Sequence, residues 1–224
     1  VQQALTSELI HHCLYVRGRE RLDGFRRVFE GATVEPDDRE QQRKQFFEKL
    51  FHPGDGFIDL RAIRKGSPTR QEFITVGDWD ALESFITENA DRDLYFGVAA
   101  RFRKGGRLED CGHIRALFVD LDFKNCRDSR GDIHDSWIWA ALEAFPYPAD
   151  IIVRSGGGLH CYWVLKTPIH LETEAPAFKK KLRSFAKAVG GDKGSAEPAH
   201  ILRIPGTLNW KYRQPLREVT LVRI

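Results

Sequence analysis

The chain has 224 residues, 42% hydrophobic and 30% charged, with a formal net charge of +3 at pH 7. That fits one large domain, or a core with a smaller appendage, under a charged surface. No apolar run reaches a membrane span, no signal-peptide pattern opens the chain, and +3 is too small to mark a polyanion partner without local clustering.

Four cysteines, Cys13, Cys111, Cys126 and Cys161, are scattered without framework spacing. A reducing, cytoplasmic setting with no membrane partner is therefore expected rather than a disulfide scaffold. There is no Met, even at position 1, and residues 218–224 still look like a strand. Both features suggest a piece of a longer polypeptide, with an associated or fused helicase among the partners left open.

Residues 1–52 read as a charged, helical leader, in which 37–51 place Phe46, Phe47, Leu50 and Phe51 after a polar first half. A smaller α/β portion is expected over 53–93, with strands at 57–63 and 72–76. A helix is expected at 78–89, capped by Asp78 and burying Trp79, Leu82, Phe85 and Ile86. The rest, 94–224, opens with a strand at 94–102. The basic stretch Arg101, Arg103, Lys104 and Arg107 follows and is a candidate DNA-binding loop.

The next strand, 116–124, is the most informative. Its sequence ALFVDLDFK is apolar except for Asp120 and Asp122. Side chains alternate along a strand, so these two carboxylates share a face, roughly 7 Å apart. Two like charges on a buried face are costly unless a cation compensates them, and hard oxygen donors suit Mg²⁺ or Mn²⁺. Acid-x-acid also occurs at solvated strand ends, but the apolar flank argues against that here. Cys111, His113 and Cys126 match no common structural zinc spacing, so no structural zinc is expected.

A helix at 134–145 stops at Pro146 and Pro148. Trp137 and Trp139 lie two apart on it, so both cannot face one core. Strands at 150–154 and 159–165 then flank the turn Ser155-Gly156-Gly157-Gly158, as in a hairpin. Its glycines let the backbone approach an anion, Ser155 adds a hydroxyl donor, and His160 can donate to a phosphate oxygen. A basic helix at 177–189 carries Lys179, Lys180, Lys181, Arg183 and Lys187, which could track a nucleic-acid backbone. In Arg203-Ile204-Pro205-Gly206-Thr207-Leu208-Asn209-Trp210-Lys211, a Pro-Gly turn sets Arg203 and Lys211 on either side, so both cations can converge on a polyphosphate. Strands and helices mix without strict alternation, which gives an α+β class with a mixed or antiparallel sheet.

Taken in order, the D-x-D strand, the glycine-histidine hairpin and the R-I-P-G-T-L-N-W-K segment resemble the archaeo-eukaryotic primase superfamily. They are most similar to its primase-polymerase and RepB-like branch, over residues 94–211. The resemblance implies an RRM-like palm with a smaller α/β subdomain, and template-directed nucleotidyl transfer with two divalent ions, on single-stranded DNA template and primer with nucleoside triphosphates. It implies Asp120 and Asp122 as metal ligands, with Asp192 as third acid and Glu197 as the alternative. It implies Ser155, Gly156, Gly157, Gly158 and His160 on the nucleotide phosphates, Arg203 and Lys211 on the triphosphate or template, and Asn209 as a neighbour. Two rivals stand beside it. A D-x-D glycosyltransferase leaves both downstream motifs unexplained, and a non-catalytic replication module would need a decayed metal site.

Overall fold

The computed structural model describes residues 36–192 and 194–224; the leader ahead of residue 36 lies outside the described residues. Helix α1 (Pro36–Leu50) places Phe46, Phe47 and Leu50 in the core. Strand β1 (Phe57–Ile63) pairs antiparallel with β2 (Arg70–Thr75) and with β3 (Asp93–Gly97), and between β2 and β3 runs α2 (Trp79–Glu88). The Asp78 carboxylate caps α2 by accepting the Ala81 N–H, as expected of an N-cap aspartate. Strand β7 (Ile201–Arg203) completes this first sheet, order β2-β1-β3-β7, so the sheet draws on both sides of residue 93.

The second sheet has the order β10-β5-β6-β4 and is antiparallel throughout. Its members are β4 (His113–Asp122), β5 (Ile151–Arg154), β6 (Gly158–His170) and β10 (Thr220–Arg223). Helix α3 (Ser136–Ala144) precedes β5, and α4 (Leu171–Val189) follows β6 directly. A ribbon of β8 (Leu208–Arg213) and β9 (Leu216–Glu218) stands apart from both sheets. Helix α1 ties the sheets together, because Phe46 meets Phe96 edge-on at 5.4 Å and Tyr162 at 5.5 Å. Burying each such ring contributes about 1.5–3 kcal/mol.

Three elements differ from the sequence expectation. Helix α4 starts six residues early: Leu171, Ala175, Phe178, Leu182, Phe185 and Val189 form one continuous buried stripe. Pro176 lies on its exposed side, where the missing N–H costs one ladder bond. Strand β3 ends at Gly97 because the chain turns to fold the Arg101 side chain back under β1. The terminal strand is split: buried Val219 bonds to Thr207 and Gly206, leaving β9 on the ribbon and β10 on the second sheet. Among the described residues no helix is long and apolar enough to cross a membrane.

Candidate active site

Strand β4 delivers its acids by alternation. Asp120 and Asp122 share a face and line one cavity of about 370 Å³, while Val119 and Leu121, at the alternate positions, are buried. The β4–β6 ladder sets Asp120 opposite His160 and Asp122 opposite Gly158. The acid strand and the glycine hairpin are therefore neighbours by backbone register.

The charge at this end is under-compensated. Burial, then the neighbouring Asp122 and Asp192 carboxylates, push Asp120 up to about 6, and Lys124 and Arg203 offset this only in part. Asp122 accepts Lys124 Nζ at 2.5 Å. Burial, helped by Arg203 and His200, pushes the His160 imidazole down to about 3, so the ring is neutral at physiological pH. His160 Nε2 lies 3.9 Å from Asp120, and its Nδ1 is buried with no hydrogen-bond partner among the described residues.

The hairpin turn is held by its carbonyls. Ser155 O accepts Asn209 Nδ2 at 2.6 Å, Gly156 O accepts Arg217 Nη1 at 2.6 Å, Gly157 O accepts the Phe123 N–H at 3.0 Å, and Gly158 O accepts the Ser155 N–H at 2.9 Å. The N–H groups of Gly156 and Gly157 meet no protein acceptor among the described residues. Gly156 has φ +86°, a conformation L side chains rarely adopt, and a Cβ on Gly157 would sit 2.5 Å from Tyr212 Oη. The turn thus combines unpaired donors with close approach, as an anion cradle requires; Ser155 and Gly157 line the cavity, while Gly156 and Gly158 are buried and do not.

The cavity lining also carries cations. Arg203 Nη1 pairs with Asp93 Oδ1 at 2.5 Å, and its guanidinium lies 4.8 Å over the Tyr95 ring. Lys211 is exposed at the cavity wall. The turn between them is braced by buried Arg43, which donates to Pro205 O at 3.2 Å and is held by Glu83. Asn209 is 2% exposed and uses both ends of its amide on backbone, donating to Ser155 O and accepting the Lys211 N–H. It cross-links the hairpin and β8 while lining the cavity.

The remaining expected residues divide. Asp192 does not line the cavity, yet its N–H donates to Asp120 O at 3.1 Å and its charge raises Asp120. Its own carboxylate accepts the Gly194 N–H at 2.8 Å. The alternative, Glu197, is closed by Lys179 at 2.7 Å and by Arg183. The 101–107 loop stays outside the cavity. Arg101 is fully buried against Asp59 at 3.2 Å and Cys111, so it cannot meet DNA at the surface. Arg103 pairs with Asp110, Arg107 lies 3.4 Å from Glu109, and Lys104 sits over the Phe57 ring. Tyr95, Lys124, His200 and Tyr212 also line the cavity and were not singled out in the sequence. Tyr95 and His200 reach it through tertiary contacts that no local spacing announces, whereas Lys124 and Tyr212 flank the expected Asp122 and Lys211 in sequence.

Two oxygen donors on one face, under-neutralised and beside a buried imidazole with an orphaned nitrogen, suit a hard divalent cation. Among the described residues no group of three or more His, Cys, Asp or Glu converges to hold an ion, so a third ligand is not assembled around the pair.

No protein-family model matches the chain. A curated replication protein from Clostridium perfringens is 24% identical over 176 residues, covering 75% of this chain and 40% of that protein, so the chain spans well under half of that relative. Among solved structures, the AEP domain of the cyanophage S-2L primase-polymerase is similar, with a TM-score of 0.57 at 18% identity, over 81% of this chain and 88% of that one. The primase RepB′ is similar with a TM-score of 0.51 at 13% identity, over 80% and 54%. The catalytic domain of RepB′ in complex with initiator DNA gives 0.51 at 15%, over 82% and 84%. The α+β fold expected from the sequence is thus the one that these primase catalytic domains adopt.

Proposed function

We propose that the chain is a primase-polymerase catalytic domain that joins nucleotides on a single-stranded DNA template. The observation that carries this reading is convergence: Asp120, Asp122, Ser155, Gly157, His160, Arg203 and Lys211, from three separated motifs, line one cavity. In the reaction, a 3′-hydroxyl oxygen bonds to the α-phosphorus of a nucleoside triphosphate. The bond from that phosphorus to the bridging oxygen breaks, pyrophosphate leaves, and the hydroxyl proton is released.

The cavity's acids, turn donors and cations each serve that displacement. Asp120 and Asp122 would hold Mg²⁺ or Mn²⁺, with Asp192 the nearest further carboxylate. The ions, when bound, supply charge stabilisation to the attacking and leaving oxygens. The Ser155 hydroxyl and the Gly157 amide donate to phosphate oxygens, and the neutral His160 ring has a nitrogen in reserve for another. Lys211 and Arg203 draw the triphosphate in. The hairpin fixes these donors in advance, so little reorganisation is needed on binding.

The test is primer synthesis and extension on single-stranded DNA, with each nucleotide pool and with Mg²⁺ or Mn²⁺. Products that depend on the metal and disappear in Asp120→Ala support the proposal. Strand binding with no incorporation under any of these conditions would replace it with a non-catalytic replication module.

A further inference from the structure

Beside the catalytic cavity runs a larger groove of about 890 Å³. The two share Ile63, Tyr95, Arg203 and Lys211, so they form one continuous surface. Six cations line the groove, Arg64, Lys65, Arg92, Arg203, Lys211 and Arg213, against two carboxylates, Asp91 and Asp93. Both acids are already engaged: Asp93 by Arg203 and the Trp210 N–H, and Asp91 by Arg64 at 2.5 Å and Arg92 at 4.0 Å. Lys65, Lys211 and Arg213 are exposed and have no acidic partner among the described residues. None of the groove's own cations beyond Arg203 and Lys211 stood out in the sequence, because they come from the β1–β2 turn, the α2–β3 turn and the end of β8.

The groove also carries an indole in a fixed pose. Trp210 is half-buried, its Nε1 donates to Ala90 O at 3.0 Å, and its backbone N–H is held by Asp93. Leu216, 39% exposed, is a second apolar member of the lining. A free triphosphate needs cations alone. A track of cations with an immobilised aromatic is what single-stranded nucleic acid uses, phosphates on the charges and bases against the ring. The lysines of α4 make a poorer track. That helix packs on the far side of β4 from the acids, where Gly191 at its exit meets Val119, and two of its cations are taken by Glu197.

We infer that this groove is the path of single-stranded DNA into the catalytic cavity, with Lys65 and Arg213 on its phosphates and Trp210 against a base. The inference rests on the proposed primase-polymerase reading and names the route of its template or primer strand.

The experiment is fluorescence anisotropy of a labelled oligothymidylate with the whole chain across a salt series in EDTA, alongside nucleotide incorporation by the same proteins. Lys65→Glu/Arg213→Glu weakens strand binding at least about tenfold. The milder Lys65→Ala/Arg213→Ala flattens the log–log salt slope by about 1.4, two cations at about 0.7 each for a single strand. Both changes are on exposed side chains, and an unchanged melting temperature confirms the fold. Lys180→Glu/Lys181→Glu on α4 keeps most of the affinity. Wild-type binding and salt slope in the Lys65/Arg213 variants, or a loss confined to the α4 pair, overturns the groove while wild-type incorporation leaves the catalytic reading standing. A wild-type chain that neither binds the strand nor incorporates nucleotides overturns both.

Discussion

Two strands of this molecule carry acids inside apolar runs, and they meet opposite fates. In β1, Asp59 is fully buried, and guanidinium and amide groups close around it: Arg61 at 2.8 Å, Arg101 at 3.2 Å and Gln71 at 2.8 Å. In β4, Asp120 and Asp122 face a cavity where Lys124 pairs with Asp122 and Arg203 offsets the charge only in part, and the Asp120 carboxyl is pushed up to about 6 by burial and by its acidic neighbours. The difference separates a structural acid from a site acid. A buried carboxylate met by fixed arginines is part of the scaffold. A pair left short of positive charge is what the proposed cation site requires.

The largest expected effect falls on the structural acid. Asp59→Ala leaves Arg101 buried without its counter-charge and should lower unfolding free energy by about 3–5 kcal/mol in urea titrations. A loss below about 1 kcal/mol would show that Arg101 finds other partners and would blur the contrast. Asp120→Ala should do the reverse. Its fold persists, while nucleotide incorporation drops by at least about two to three decades, at about 1.4 kcal/mol per decade. Near-wild-type incorporation by that variant, with contaminating polymerase excluded, would remove the cavity from the chemistry.

A smaller effect tests how the cations are mounted. The acids sit on a continuous β4–β6 ladder, whereas Arg203, Asn209 and Lys211 sit on a short strand and a ribbon. Asn209 joins the two through Ser155 O. Asn209→Ala strands a buried carbonyl and should cost about 1–3 kcal/mol of stability. It should also raise KM for the nucleotide more than it lowers kcat, because it loosens binding donors and leaves the acids in place. An unchanged KM would mean the hairpin holds its shape without β8.

The same contrast explains what was legible in the sequence. Asp120 and Asp122 were visible because period-two alternation needs only local sequence, and the Ser155–Gly158 turn and the Arg203–Lys211 segment announce themselves by glycine and proline. Asp59 offered the same kind of signal, an acid within F-I-D-L-R-A-I, and it called for the buried partner that Arg101 supplies. Grouping Arg101 with the exposed basic stretch missed this, because charge clusters in sequence say nothing about which members turn inward. Asp93 and Arg203 meet across 110 residues, and Arg43 reaches Pro205 across 162, distances at which spacing carries no information. Asp192 entered only through the family resemblance of the motifs, and it leaves a helix into a turn, so its carboxylate bonds Gly194 instead of lining the cavity.

The smallest expected effect is the most discriminating, because it predicts a gain. Asp120 titrates near 6 in the folded chain, against about 3.9 for an unperturbed aspartate. Between those values the folded state holds a proton that the unfolded state has lost. The Asp120 contribution to metal-free stability should therefore decline as pH rises from about 4 through 6, by about 3 kcal/mol; His160, pushed down to about 3, acts in the opposite sense over the same range, so the Asp120 share is read as the difference between wild type and Asp120→Asn. Burial is the leading cause and Asp122 the next. Asp122→Asn keeps the first and removes the second, so it should shrink the decline and stabilise the metal-free chain at neutral pH by about 1 kcal/mol. On the proposed reading Mg²⁺ should raise the wild-type Tm above pH 6, where Asp120 is charged and free to take a cation, and the same variant should lose most of that rise. A structural acid has no such signature, since removing a neighbour of Asp59 can only destabilise. If Asp122→Asn destabilises the metal-free protein instead, the Lys124 contact outweighs the repulsion between the two carboxylates, and β4 would have to be read as β1 is.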